Sequence, residues 1–140
     1  PMVGSRITIY SLGGGLLGGR LIGLGADWVL LAEDSRQEIL FPQVSITGIT
    51  GLSAWTAAPG REGVLAGKLT LGYALRGIAR DRAPVAVAFC DGSIVTGTID
   101  RVGADFFEMA EHSPEAIRRR REITNIRTVP FSGLAFVRRI

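Results

Sequence analysis

The sequence predicts a mainly β chain made of two tandem copies of one small antiparallel unit, with a single amphipathic helix ahead of the second copy. Three observations lead there. Sliding the chain by 78 positions lays residues 19–28 on residues 97–106, so that Gly19, Leu21, Gly25, Asp27 and Trp28 fall on Gly97, Ile99, Gly103, Asp105 and Phe106. An internal repeat of this kind decides the architecture before any local reading does. Short runs that alternate apolar and polar residues, divided by glycine-rich or Asp-Gly turns, have the period of half-buried strands. Between the copies, Leu71, Ala74, Leu75, Ile78 and Ala79 recur at three- and four-residue spacing, the period of a helix with one apolar face.

In the first copy, Ile7 and Ile9 alternate with polar residues and run into Leu12-Gly13-Gly14-Gly15, a strand followed by a turn. A second strand is expected over 16–24, a bend at Gly25-Ala26-Asp27, and a third strand from Trp28, where the residues suit a pleated surface. After a short turn at Ser35-Arg36-Gln37, a fourth strand spans 38–41 and a fifth spans 44–49, with Pro42 ending the fourth. The second copy repeats the series as strands over 85–89, 94–102, 106–110, 126–129 and 134–137. Asp91-Gly92 forms its first turn, a strong hairpin signal. Pro42 and Pro130 lie 88 positions apart rather than 78, so ten extra residues enter between strands three and four of the second copy. The first unit is therefore expected at 5–53, an Ala/Gly/Pro-rich linker at 54–68, and the helix with the second unit at 69–140. Each unit is then expected to be a helix plus five strands, with the first helix truncated or absent here.

Composition narrows the classes. The hydrophobic fraction is 46% against 21% charged residues, which is globular. No apolar run is long enough for a membrane span, and the amino end lacks the basic and apolar regions of a signal peptide. One cysteine, Cys90, allows no internal disulfide, and with the lone His112 it leaves little for a metal site; a cytoplasmic setting is expected. The net charge of +3 is uneven: residues 1–70 are neutral, whereas 116–140 hold seven arginines against Glu122 alone. Such a basic end favours acidic partners, nucleic acid first among them.

A helix followed by a bent five-stranded sheet, with Asp-Gly after strand one and a glycine five positions on, resembles the Sm-like family that includes LSm and Hfq proteins. The residues that carry the resemblance are Val85, Val87, Asp91, Gly92, Gly97, Ile99, Asp105 and Phe106, and in the first copy Ile7, Ile9, Gly14, Gly19, Leu21, Asp27 and Trp28. It implies two tandem, strongly bent five-stranded antiparallel barrels, and units that join edge to edge through strands four and five. It also implies RNA as a ligand class. The chain departs from the family where bases are read. No Asn follows Asp105, whose neighbours are Phe106-Phe107-Glu108, and the family's Arg-Gly or Tyr-Lys-His is replaced by Leu40-Phe41-Pro42 and Thr128-Val129-Pro130. Any RNA binding would use other residues.

The candidate nucleic-acid contacts are Arg118, Arg119, Arg120 and Arg121 in the insertion, with Arg101, Arg127, Arg138 and Arg139 beside them. Solvation, or pairing with Glu115 and Glu122, is the plain alternative for the four-arginine run. Gly13, Gly15 and Gly18 spell G-x-G-x-x-G, yet a dinucleotide site needs a helix next, and Gly19, Gly23 and Gly25 oppose one; a glycine-rich turn is the reading. Trp28 and Phe106 are expected in the core rather than stacked on bases, and Asp27 and Asp105 are expected to accept from backbone amides at the bend. Cys90 reads as a small buried hydrophobe and His112 as a solvated loop residue. No catalytic set emerges, so a non-enzymatic protein without cofactor or metal is expected. The leading expectation is a nucleic-acid-binding module for single-stranded RNA. Its rival is a protein-assembly scaffold, a homo-oligomer joined through sheet edges with an acidic protein as the alternative partner.

Overall fold

A computed structural model describes residues 3–33, 37–51, 69–113 and 125–140. The expected linker and the run Arg118–Arg121 lie outside the described residues. The first copy supplies β1 (Arg6–Ser11), β2 (Gly15–Leu24), β3 (Trp28–Ala32), β4 (Glu38–Pro42) and β5 (Ile46–Thr50). Helix α1 (Leu71–Asp81) precedes β6 (Pro84–Phe89), β7 (Ile94–Val102), β8 (Phe106–Glu111), β9 (Asn125–Pro130) and β10 (Leu134–Arg139). Single 3-10 turns follow β1, β4 and β9, and the last two begin right after Pro42 and Pro130. The segment after Gly19 is strand, so the glycine-rich loop leads into no helix.

All ten strands are antiparallel members of one sheet in the order β5-β1-β2-β3-β4-β10-β6-β7-β8-β9. Each half thus has the same internal order, with its fifth strand beside its first. Pairing registers repeat as well: Ile7 faces Gly19 as Val85 faces Gly97. Bulges recur at Leu21/Gly23 and Ile99/Arg101, and the β1–β5 irregularity at Ser11 has its counterpart where β10 meets β6 at Leu134/Phe136. Bulges bend strands and raise twist, so equivalent bulges curve the two halves alike. Glycine at the repeated positions has a steric cause. A Cβ on Gly19 or Gly97 would sit 2.3 or 2.1 Å from the carbonyl oxygen of Ala32 or Ala110, and one on Gly25 or Gly103 would enter the ring of Trp28 or Phe106. In the second hairpin turn, Gly92 has φ +92°, open to glycine at little cost. The Ser93 hydroxyl and amide both donate to Asp91 there, holding the Asp91 carboxyl below its ordinary range.

The halves meet where β4 pairs with β10, Leu40 opposite Val137 and Ile39 opposite Arg138. Their cores interlock across this joint. One cluster joins Leu71, Leu75 and Ile78 of α1 to Val85, Ile99 and Phe107, and takes in Trp28 and Leu40 from the first half. The other joins Ile9, Leu31, Ile39 and Phe41 of the first half to Ala135 and Phe136 of the second. The bulge in β10 explains the split, because it turns Ala135 and Phe136 to one side while Leu134 and Val137 face the other. The buried Ser45 hydroxyl, 2.6 Å from the Ala135 carbonyl oxygen, fastens the same joint. The halves therefore share one sheet and pack into each other's cores.

Helix α1 starts on a Thr70 cap whose hydroxyl accepts from the Tyr73 amide, and Arg82 at φ +54° ends it two residues before Pro84. Asp27 adds a long-range support: its Oδ1 accepts from the Leu71 amide at 2.7 Å. The amide that Asp27 serves is thus at the start of α1 rather than at its own bend; the bend is held by backbone, Asp27 and Asp105 each accepting through the main-chain oxygen from Gln43 and Phe131. A carboxylate at a helix N-terminus favours the dipole. Asp27→Ala is expected to lower unfolding free energy by about 1 kcal/mol in urea titration, with α1 amides exchanging faster than those of β7. Among the described residues no helix is long and apolar enough to cross a membrane.

Candidate functional site

The four described candidate arginines each face a carboxylate. Arg101 and Glu108 lie opposite one another on β7 and β8 and form a two-pronged pair, Nε to Oε1 at 3.2 Å and Nη2 to Oε2 at 3.1 Å, with the guanidinium 5.3 Å from the Phe106 ring centre. The hydrogen bond from Arg101 holds the Glu108 carboxyl below its ordinary range and raises Arg101 in turn. Arg127 on β9 pairs with Glu111 and lies over Phe89. Arg138 donates to Glu33 at 3.4 Å and covers Phe136. Arg139 reaches Asp81 at 3.2 Å and Glu38 at 3.8 Å. These arginines do not converge on one face: Arg101 and Arg127 belong to the far half, whereas Arg138 and Arg139 sit at the joint. An adjacent carboxylate offsets the attraction of each for phosphate. Sequence alone could not reveal this, since the partners lie 7, 16, 105 and 58 residues away.

Arg20, Arg76 and Arg80 have no carboxylate partner among the described residues. Arg76 and Arg80 are exposed on α1, as is Tyr73.

Other candidates take structural roles. Trp28 is buried, and its indole N–H donates to the Leu69 carbonyl at 3.0 Å. Phe106 is half-buried under Arg101. His112 is more engaged than a solvated loop residue: Nδ1 lies 3.1 Å from the Ser113 carbonyl, so it carries the proton there, and Nε2 lies 2.7 Å from the Thr98 hydroxyl. Cys90 is half-buried beside the Asp91-Gly92 turn rather than in the core. The described residues contain no group of three or more side chains of metal-ligand type.

Among the described residues two features remain that could serve binding. The first is the pair of open sheet edges, β5 and β9. On β9, Ile126 is 62% exposed and Arg127 and Thr128 are also exposed. The second is a cleft of about 220 Å³ between α1 and the sheet at the joint. Trp28, Leu30, Leu40 and Val137 form its floor, and Tyr73, Ala74 and Gly77 its helical wall, with Leu69 just ahead of the helix. Sequence reading passed over this cleft. Its traces were a glycine and an alanine on one side of a helix, and leucines at 30 and 40 where the second copy has Glu108 and Thr128.

Comparison with protein-family models, with curated proteins and with solved structures finds no match for this chain.

Proposed function

We propose that the chain is a non-catalytic assembly module of two Sm-like barrels, whose open edges join copies of the chain head to tail. The repeated strand order, repeated bulges and repeated glycine seats support reading each half as such a barrel. The observation that carries the assembly reading is the β4–β10 joint, where the fourth strand of one half pairs with the fifth strand of the other. Among the described residues, the other fourth strand, β9, and the other fifth strand, β5, are the two edges without a partner strand. Unpaired edge groups invite another strand. Carrying the internal register across by the 88-position offset sets Thr128 opposite Ile49 of a second copy and Arg127 opposite Thr50.

This outer joint is weaker than the inner one. Leu40 and Ile39 have the counterparts Thr128 and Arg127, Phe136 has Gly48, and Ser45 has Gly133, which lacks the hydroxyl. Association is therefore reversible, with weight-average mass rising over roughly 10 to 500 µM in sedimentation velocity. Thr128→Pro, which removes an edge donor, should hold the chain monomeric with an unchanged circular dichroism spectrum. A wild-type chain that stays monomeric across the range refutes the reading.

The nucleic-acid reading is the second candidate. It draws on the basic end of the chain, and its support is reduced to Arg118–Arg121 and the three arginines that have no carboxylate partner among the described residues, because Arg101, Arg127, Arg138 and Arg139 are already matched. Excess absorbance at 260 nm in the purified protein, lost when residues 118–121 become alanine, would turn the conclusion toward RNA.

A further inference from the structure

We propose that the cleft under α1 is a binding site for a small aromatic carboxylate, a function independent of edge assembly. The cleft lies at the joint, where the first half provides Trp28, Leu30 and Leu40 of the floor and the second half provides Val137 of β10 and the helix. Its space exists because α1 turns Ala74 and Gly77 toward the floor. Glycine inside a helix is unfavourable by about 1 kcal/mol relative to alanine. Steric need does not explain Gly77: a Cβ there meets only the Arg80 guanidinium, at an ordinary 3.7 Å.

Comparison within the chain shows that the apolar floor is not a demand of the repeat. Where the first half has Leu30 and Leu40, the second has Glu108 and Thr128, with Arg101 laid over Phe106 instead of a helix. Leu30 and Leu40 line the cleft beside α1, and α1 does not fill the space above them. An apolar cavity of about 150 Å³ accepts benzene, so 220 Å³ fits a body of two fused rings.

The rim sets the charge. Arg139 and Glu38 both line the cleft and pair with each other at 3.8 Å, and Arg139 also meets Asp81 at 3.2 Å. Arg80 also lines it and has no carboxylate partner among the described residues. A ligand with a flat apolar body and one carboxylate fills the floor and meets the unmatched cation. Because Arg80 is exposed, its contribution to selectivity is modest, about threefold.

The test is titration of the full chain with 2-naphthoate and with uncharged 2-naphthol, by calorimetry and by amide and indole NMR. Saturable binding is expected with Kd between about 10 µM and 1 mM, with shifts in the Trp28 indole and in α1. Gly77→Leu, which fills the cleft, should weaken binding at least tenfold while helicity holds or rises. Leu30→Glu, which installs the second half's own residue, should do the same and serves if Gly77→Leu misfolds. Arg80→Gln should erase the preference for naphthoate and leave naphthol binding unchanged. No saturation of the wild type below about 5 mM, or tight binding retained in the folded cleft variants, overturns the proposal; an unchanged preference in Arg80→Gln overturns the carboxylate assignment.

Discussion

Gly97→Ala is expected to lose about 3 kcal/mol of stability, the top of the ordinary range for overpacking, and so to remove a large part of the 5–15 kcal/mol typical of a domain. The added Cβ would lie 2.1 Å from the Ala110 carbonyl oxygen and 2.9 Å from Met109 Cε. Met109 is flexible and can give way, but the carbonyl belongs to the backbone of β8. That strand is paired on both sides, to β7 and to β9, so it cannot retreat without breaking a ladder. Gly18→Ala is the matched control, because its Cβ meets nothing nearer than the Thr8 hydroxyl at 3.8 Å. Gly19→Ala should behave like Gly97→Ala, since the Ala32 carbonyl stands in the same place. Urea titration of the three variants measures the contrast. Equal stability of Gly97→Ala and Gly18→Ala would mean that the two halves do not hold their glycines for the close strand approach described above.

Most of this architecture was legible in the residues because its signals are local. Strand period, the Asp91-Gly92 turn, the apolar spacing of α1 and the two prolines all act within a few positions, and the elements fall within about two residues of where those signals place them. The repeat supplied the rest, because a second copy tests every assignment made on the first. What escaped was set by contacts between the halves. Asp27 was expected to serve its own bend, yet its side chain takes an amide 44 residues on. Arg138 and Arg139 looked free in a basic tail, yet Glu33, Glu38 and Asp81 come to them from other elements. Nothing in a run of arginines states where the carboxylates are. The cleft was hidden for a related reason: a groove between a helix of one half and the strands of the other belongs to neither unit's pattern.

Phe136→Ala tests whether the halves are one cooperative body, and the expected result is a single unfolding transition lowered by about 3 kcal/mol. Phe136 belongs by sequence to the second half, but its side chain is 8% exposed within the first half's cluster, its ring centre 5.4 Å from that of Phe41. Truncation removes that contact and leaves a void, since Phe41 and Ile39 are fixed by strand pairing on both sides of β4. Val44→Ala, at a position 79% exposed, should change stability by less than about 0.5 kcal/mol and serves as the control. If the joint couples the halves, α1 amides lose protection in hydrogen exchange together with those of β1 and β3, although α1 does not belong to the cluster that Phe136 fills. The coupling has a ready route: Trp28 and Leu40 of the first half belong to the same core cluster as Leu71, Leu75 and Ile78 of α1, so loosening β4 also undermines the helix. Two separate transitions, with α1 protected while β1 and β3 exchange freely, would show that each half carries its own stability and that the shared sheet is only a contact between them.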